Sequence, residues 1–542
     1  MSQFAPLKNY VRAVRAVLLM AIAPSMVLLP FGAHAEASRL NVQDSVAGAL
    51  IYLDDMQIRQ RPGKGDCNHD ASVGDSCGFP APVRNLEGEW ASRIFLLPTL
   101  AGELSEYDRY PIQDSNMFTT AGVAFPLAFI KDRSPTQAIQ GMKNLALKDI
   151  QRFRHGDAYD FWITIPGRTS PQPVVGPMNL SPVTLNKLFS FFSNPIFMAL
   201  LEMILGKHSN GNTWEKQMGD PTINPYGMDS AFNIPNDADD TSVAVVIDKL
   251  YSSNTDLKAM QAIFQHRDTD RPKRDKRNEW IAKDSGLFLT WLKDDTLPPF
   301  ADPTTGVIPI GVNNVDCVVN ENVLLAMGLT STGDAETIRT IANFTHDVIK
   351  QNKWPKCGLY YPQQMMFPYA ASRAFRDGSI RTPEMQAAMD DLLKVLLTQQ
   401  QRDGSFSGGT DGTKDLSTAL GAVTLINIGR STAIRLSLAD RYDQALRKAV
   451  RYLKYSQIEH ATRGSYGGYG YKWQPGVFFS ASGWSVANWK SEAYTVAITL
   501  EALTKYMLGY DLTDESIENG RKLVIREWHN TPGALKSQFV VE

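Results

Sequence analysis

Three carboxylates crowd into four residues in the string Pro235-Asn236-Asp237-Ala238-Asp239-Asp240-Thr241. Carboxylates this close repel one another, so where water is restricted they cannot all ionise, and one keeps its proton near neutral pH. The result is a strong carboxylic acid beside a cavity, the reagent for general-acid chemistry. Asp237, Asp239 and Asp240 are therefore candidate catalytic residues. The same string reads as a helix start, where Asp and Asn serve as caps and the helix dipole favours the anion. Burial decides which reading holds.

A second string, Asn313-Asn314-Val315-Asp316-Cys317, aligns with the first as N-[DN]-x-D from Asn236 and Asn313. Asp316 would face the same mouth, as base or as stabiliser of a cation, with Asn313 and Asn314 against the substrate. Opposed carboxylates are also what glycoside hydrolysis requires, and a plain capping Asp is the simpler alternative. A third cluster is aromatic. Tyr466, Tyr469, Tyr471, Trp473, Phe478, Phe479, Trp484 and Trp489 crowd a Gly/Ser-rich stretch. Aromatic faces stabilise carbocations. They also stack on sugars, or simply pack. Tyr466, Tyr469, Trp473, Trp484 and Trp489 are taken as candidate substrate contacts.

The elements that must position these groups recur along the chain. A loop rich in Gly, Pro, Asn and aromatics ends in a polar cap and opens into a small-residue helix. Copies begin near Asp237, Asn314, Tyr361, Asp415 and Ser491, with an earlier relative at Asp114. More charged amphipathic helices lie between them. One spans Thr382 to Gln400, with Met385, Met389, Leu392 and Leu396 at helical spacing. Helix pairs repeating at about 50 residues predict an all-α fold, an α/α toroid. The toroid is expected over 231–542, after an N-terminal α-helical region over 36–230. Inner-helix N-termini would converge on one mouth, with their free N–H groups facing a common cavity.

D-x-D-D-T at an inner-helix start resembles the acid motif of the class II terpene cyclases, the squalene–hopene cyclase-like group with the terpenoid cyclase/prenyltransferase fold. Asp237, Asp239, Asp240 and Thr241 match it. The resemblance implies that Asp239 protonates an alkene or epoxide while its neighbours tune its acidity. Gln400-Gln401-Arg402-Asp403-Gly404-Ser405-Phe406 resembles that family's Q-x-x-D-G repeat, with Phe406 where Trp is usual. The likeness covers about residues 230–510. It implies no metal and no cofactor, because protonation, and not diphosphate ionisation, starts the reaction.

The chain opens with Lys8, Arg12 and Arg15, an apolar run, and Ala33-His34-Ala35, which together read as a secretory signal over 1–35. An exported, periplasmic or secreted protein is expected. Formal net charge is −2, and three units more negative without the leader, which gives no reason to expect nucleic-acid binding. The basic run Arg267 to Arg277 is interleaved with Asp and reads as a solvated face. Four cysteines, Cys67, Cys77, Cys317 and Cys357, allow three disulfide connectivities. Cys67 with Cys77, leaving Cys317 with Cys357, is expected after export. No metal site is expected. Asp66 to Asp70 has calcium-loop alternation without the Gly and Glu such a loop needs. Leu188 to Leu205 is nearly all apolar, so it reads as a core helix, a lid or a peripheral membrane contact. Three functions fit: an acid-initiated cyclase or isomerase on an apolar isoprenoid-like substrate, a periplasmic polysaccharide hydrolase or lyase on a glycan, and a non-catalytic binding toroid.

Overall fold

The computed structural model describes residues 39–59, 86–96, 112–163, 234–269, 280–293, 313–408, 413–462, 469–480, 487–531 and 534–542. The leader, Cys67, Cys77, the calcium-like stretch 66–70, the apolar segment 188–205, Tyr466 and Trp484 lie outside them.

Among the described residues, six helices form an inner ring. They are α2 (Met117–Leu127), α4 (Ala238–Ser252), α6 (Cys317–Thr330), α8 (Met366–Arg376), α10 (Asp415–Ile428) and α13 (Glu492–Leu508). Each packs on the next, and α13 returns to α2. On the outside α3 (Ala138–Ile150), α5 (Leu257–Phe264), α7 (Ala335–Lys350), α9 (Pro383–Gln399) and α12 (Ala439–Ser456) back onto α2, α4, α6, α8 and α10 in turn. The sixth outer helix is α1 (Gln43–Met56), which packs on α13 and closes the circle. A short helix, α11 (Arg430–Arg435), joins α10 to α12. This is the α/α toroid that the helix-pair repeat predicts.

Composition sorts the two layers. Every residue of α10 is buried, as expected for a helix apolar or small on all sides. The outer α12 buries one stripe instead: Tyr442, Ala445, Leu446, Ala449, Val450 and Leu453. Side-chain caps start four inner helices: Asn116 on α2, Asp237 on α4, Asp316 on α6 and Ser491 on α13. In contrast, α8 and α10 begin without one. Asp415 instead accepts the backbone N–H of Gln474.

The expected boundary near residue 230 does not hold. Helices α1, α2 and α3 precede it, yet α2 sits in the inner ring between α13 and α4, and residues 40–542 form one compact unit. The cause is local, because Asn116 opens the same capped helix that the later repeats use. Strands are also more numerous than the sequence indicates. β1 (Ser92–Leu96), β2 (Ile112–Asp114), β3 (Val477–Ser480) and β4 (Ala487–Lys490) form an antiparallel sheet in the order β2-β1-β4-β3. Because β2 leads into α2 and β4 into α13, this sheet lies at the mouth end. The aromatic stretch read as loop thus supplies two of its strands.

The Q-x-x-D-G turn ties the end of α9 to its outer-layer neighbour α12. Gln400 Nε2 donates to the carbonyls of Gly404 (3.0 Å) and Ala445 of α12 (2.8 Å). Gly404 has φ +92, and a Cβ there would lie 2.5 Å from the Lys448 carbonyl oxygen. Gly404→Ala is therefore expected to cost about 1–3 kcal/mol, read as a shifted urea midpoint with an unchanged slope.

Candidate active site

Helix α4 starts where Asp237, in extended backbone, caps the N–H of Asp240 at 2.7 Å. That places Asp239 in the first turn. Asp239, Val243, Val246 and Ile247 then fall at i, i+4, i+7 and i+8, one helical stripe. The last three line a cavity on the ring axis. Neighbouring helices supply matching stripes: Phe118, Gly122 and Phe125 from α2, Val318 and Asn322 from α6, Met366, Ala370 and Arg373 from α8. Tyr494, from the first turn of α13, completes the wall with Tyr369. The free volume is about 20 Å³, room for one water. Any larger ligand requires lining side chains to move apart.

The Asp239 carboxyl is buried and carries two hydrogen bonds. Asn322 Nδ2 donates to Oδ1 at 2.7 Å, and the Tyr361 hydroxyl bonds Oδ2. Burial pushes this acid well above the usual carboxylate range. The charge of Asp237 adds to the rise, and that of Asp316 adds a smaller push. The Asn322 bond and the Arg373 guanidinium pull the other way. Asp237 itself is raised to about 6, chiefly by burial. Burial and the Asp237 charge hold Asp240 protonated, donating to Asp237. Asp237 and Asp240 are thus engaged with each other, and the Asp239 carboxyl bonds neither of them.

Asp316 has a different task. Its Oδ1 accepts the N–H groups of Val318 (2.7 Å) and Val319 (3.3 Å), and its Oδ2 those of Leu359 and Tyr360. With four N–H groups on two oxygens, no lone pair is offered to a substrate. Asn313 clasps the backbone of Trp291, and Asn314 Nδ2 donates to the Tyr360 hydroxyl at 2.8 Å. The disulfide Cys317–Cys357 joins the same two segments. The second string is thus a scaffold that fixes the loop ahead of α8, and Tyr361 rides on that loop.

The aromatic candidates divide. Trp473 is buried, and its indole donates to the Leu453 carbonyl of α12 at 2.7 Å, outside the ring. Tyr469 is 57% exposed. The Trp489 indole donates to Asp114 at 2.8 Å. Phe478 and Phe479 stand beside the site: Phe478 stacks on Tyr494 at 4.4 Å, and Phe479 meets Tyr361 at 5.8 Å. The sequence reading named Tyr361 only as the start of a repeat copy, and it did not single out Asn322, Phe118, Tyr369 or Arg373 as site residues. The signal of those four was present only as the i, i+4, i+7 stripe of each inner helix.

At the cavity floor lies a buried ionic cluster. Tyr369 donates to Glu501 at 2.8 Å, and Arg373 donates to the Tyr369 hydroxyl at 3.2 Å. Lys505 pairs with Glu501 and Asp377, each at 2.7 Å.

Tyr361→Phe removes the donor that stabilises the Asp239 anion. Expected is a loss of about 10-fold in turnover with little change in KM, because a hydrogen bond to a charged group contributes roughly 1.5–3 kcal/mol. The alkaline limb of the pH profile moves upward, since the carboxylate loses a stabilising partner. A rate-versus-pH series on the two proteins checks both.

No family model matches the sequence, and no curated protein matches it. Among solved structures, the chain is similar to a type II terpene cyclase from Scytonema. A variant of that enzyme bound to geranylgeranyl dihydroxybenzoate, its substrate, is 12% identical with a TM-score of 0.46, over 86% of this chain and 97% of that one. Its apo form is 11% identical with a TM-score of 0.46, over 86% and 98%. A protein from Actinoplanes is 13% identical with a TM-score of 0.46, over 86% and 100%. At these scores the likeness adds nothing to the packing and distances above.

Proposed function

We propose that the protein is an acid-initiated cyclase or isomerase of isoprenoid-like substrates, with Asp239 as proton donor. One observation carries this reading. A buried carboxyl group, pushed well above the usual carboxylate range by burial, shares its helix face with the wall of an apolar and aromatic cavity. Asn322 Nδ2 can only donate, so Oδ1 is the carbonyl oxygen and the proton sits on Oδ2. An alkene in the cavity takes that proton with its π pair. A C–H bond forms, the O–H bond breaks, and positive charge appears on the more substituted carbon. The Tyr361 hydroxyl accepts from the acid beforehand and donates to the carboxylate afterwards. The ring faces of Phe118 and Tyr494 meet the cation. Ring closure by a second alkene, or loss of a neighbouring proton, then completes a cyclisation or an isomerisation.

The polysaccharide reading draws no comparable support. It needs a second free carboxylate across an open groove, and Asp316 is already saturated. Export remains part of this proposal, and the Cys317–Cys357 bond fits an oxidising compartment.

The test is to incubate the full chain in D2O with ten- to twenty-carbon isoprenoids ending in a trisubstituted alkene. Deuterium is expected at one product carbon with the native protein and none with Asp239→Asn. Equal deuterium incorporation by both proteins overturns the reading.

A further inference from the structure

A cavity built only to shelter an apolar chain has no use for a guanidinium, yet Arg373 stands in its wall. It lies on α8 seven residues after Met366, about 10 Å further from the mouth at helical rise. Its side chain is buried, and its Cζ lies 3.9 Å over the Phe125 ring and 4.9 Å from the Tyr369 ring. Among the described residues, the Tyr369 hydroxyl is the acceptor it reaches, and its Nε has no hydrogen-bond partner. Arginine carries five donors in a planar fork, and a buried donor left unmatched is costly. The nearby carboxylates do not supply the match. Glu501 is held by Tyr369 and Lys505, and Asp377 by Lys505. Charge in the cluster is balanced at a distance, while Arg373 Nε is left without a partner.

Building on the isoprenoid reading above, we propose that Arg373 receives a carboxylate of the ligand, so the substrate is an isoprenoid acid. The carboxylate would lie on the guanidinium at the floor, and the reacting alkene about two helical turns away, under Asp239. The fork geometry of Arg matches a planar carboxylate through two parallel hydrogen bonds. A single guanidinium matches a single negative charge.

Binding is measured by calorimetry on the full-length Asp239→Asn protein, which cannot deliver the proton and so separates recognition from chemistry. The probes are a ten-carbon isoprenoid carboxylic acid, the matching alcohol and the matching diphosphate. The acid is expected to bind at least 10-fold tighter than the alcohol. Adding Arg373→Gln is expected to erase that preference, while Arg373→Lys keeps part of it. Equal affinity for acid and alcohol overturns the proposal, as does a preference that survives Arg373→Gln. Tightest binding of the diphosphate overturns the assignment to a monoanion. If Arg373→Gln fails to fold by circular dichroism, the acid-to-alcohol ratio and the Arg373→Lys protein decide the matter alone. Turnover by Asp239→Asn would sink the proton-donor reading and leave the affinity ratio to be judged separately.

Discussion

Asp239→Asn is expected to lower turnover by at least about 1,000-fold, within the range for a general acid that starts the reaction and equal to about 4 kcal/mol of barrier. At low pH, where Asp239 is protonated in both folded and unfolded chains, stability is expected to change by less than about 1 kcal/mol. Asn is nearly isosteric, its Oδ1 still accepts from Asn322, and its Nδ2 can donate to the Tyr361 oxygen. The sign of the change depends on pH. The folded-state pKa of Asp239 lies above its unfolded value near 4. Between those two values the folded state binds more protons, so stability falls as pH rises. Asn has no such cost, so the variant should be the more stable protein on the alkaline side and the less favoured at low pH. The same shift predicts that native activity persists into the neutral range and is lost on the alkaline side, as the acid form disappears. Paired melting curves and rate profiles across pH check these signs. A variant with native turnover, or one that melts early at every pH, contradicts them.

Removing both Cys317 and Cys357 by alanine should have the largest effect on stability. The bond closes a loop spanning a sequence separation of 40, for which chain entropy gives about 4 kcal/mol. The bond also anchors the segment just after Cys357, which carries Leu359 and Tyr360, whose N–H groups the Asp316 carboxylate holds, and then Tyr361 itself. Loss of the bond is therefore expected to reduce turnover as well, by about the 10-fold ascribed to Tyr361. Chemical denaturation under non-reducing conditions, beside an activity assay at a temperature where the variant is folded, measures both. Native activity in a folded double variant would show that Asp316 and Asn314 position the loop unaided.

How far the site could be read from residues alone differs from part to part. The D-x-D-D string named Asp239, because three like charges at a helix start have few other outcomes. It also led to Asp316, and there the same pattern misled. A capping Asp and an acid look alike until one knows whether backbone N–H groups or a cavity surround them. Asp316 meets four such groups and Asp239 none of that kind. Trp473 and Trp489 misled for a related reason, since each indole N–H was already satisfied by Leu453 and Asp114. The toroid was legible from helix periodicity, but its N-terminal limit was not. Helix α2 is apolar almost throughout and carries Pro126 inside it, which obscured its membership of the repeat. The role of Tyr361 was invisible because it follows from a loop held by three separate devices.

The ring is closed by its two ends. Helix α1 backs onto α13, and the Leu40 N–H donates to the Tyr506 hydroxyl across 466 residues of sequence. No neighbour-by-neighbour stacking of helix pairs completes such a circle. The final seam waits for the last helix of the chain to exist. Contacts this distant in sequence raise contact order and slow folding. Once most of the ring has assembled, however, the seam brings together ends that are already close in space. Until that seam forms the ring is an open arc, with the facing edges of α13 and α2 unpaired. Such an arc has one sticky edge at each end. The same geometry makes the point of chain entry arbitrary, since a circle cut at another outer loop and rejoined between α13 and α1 would keep every inner contact.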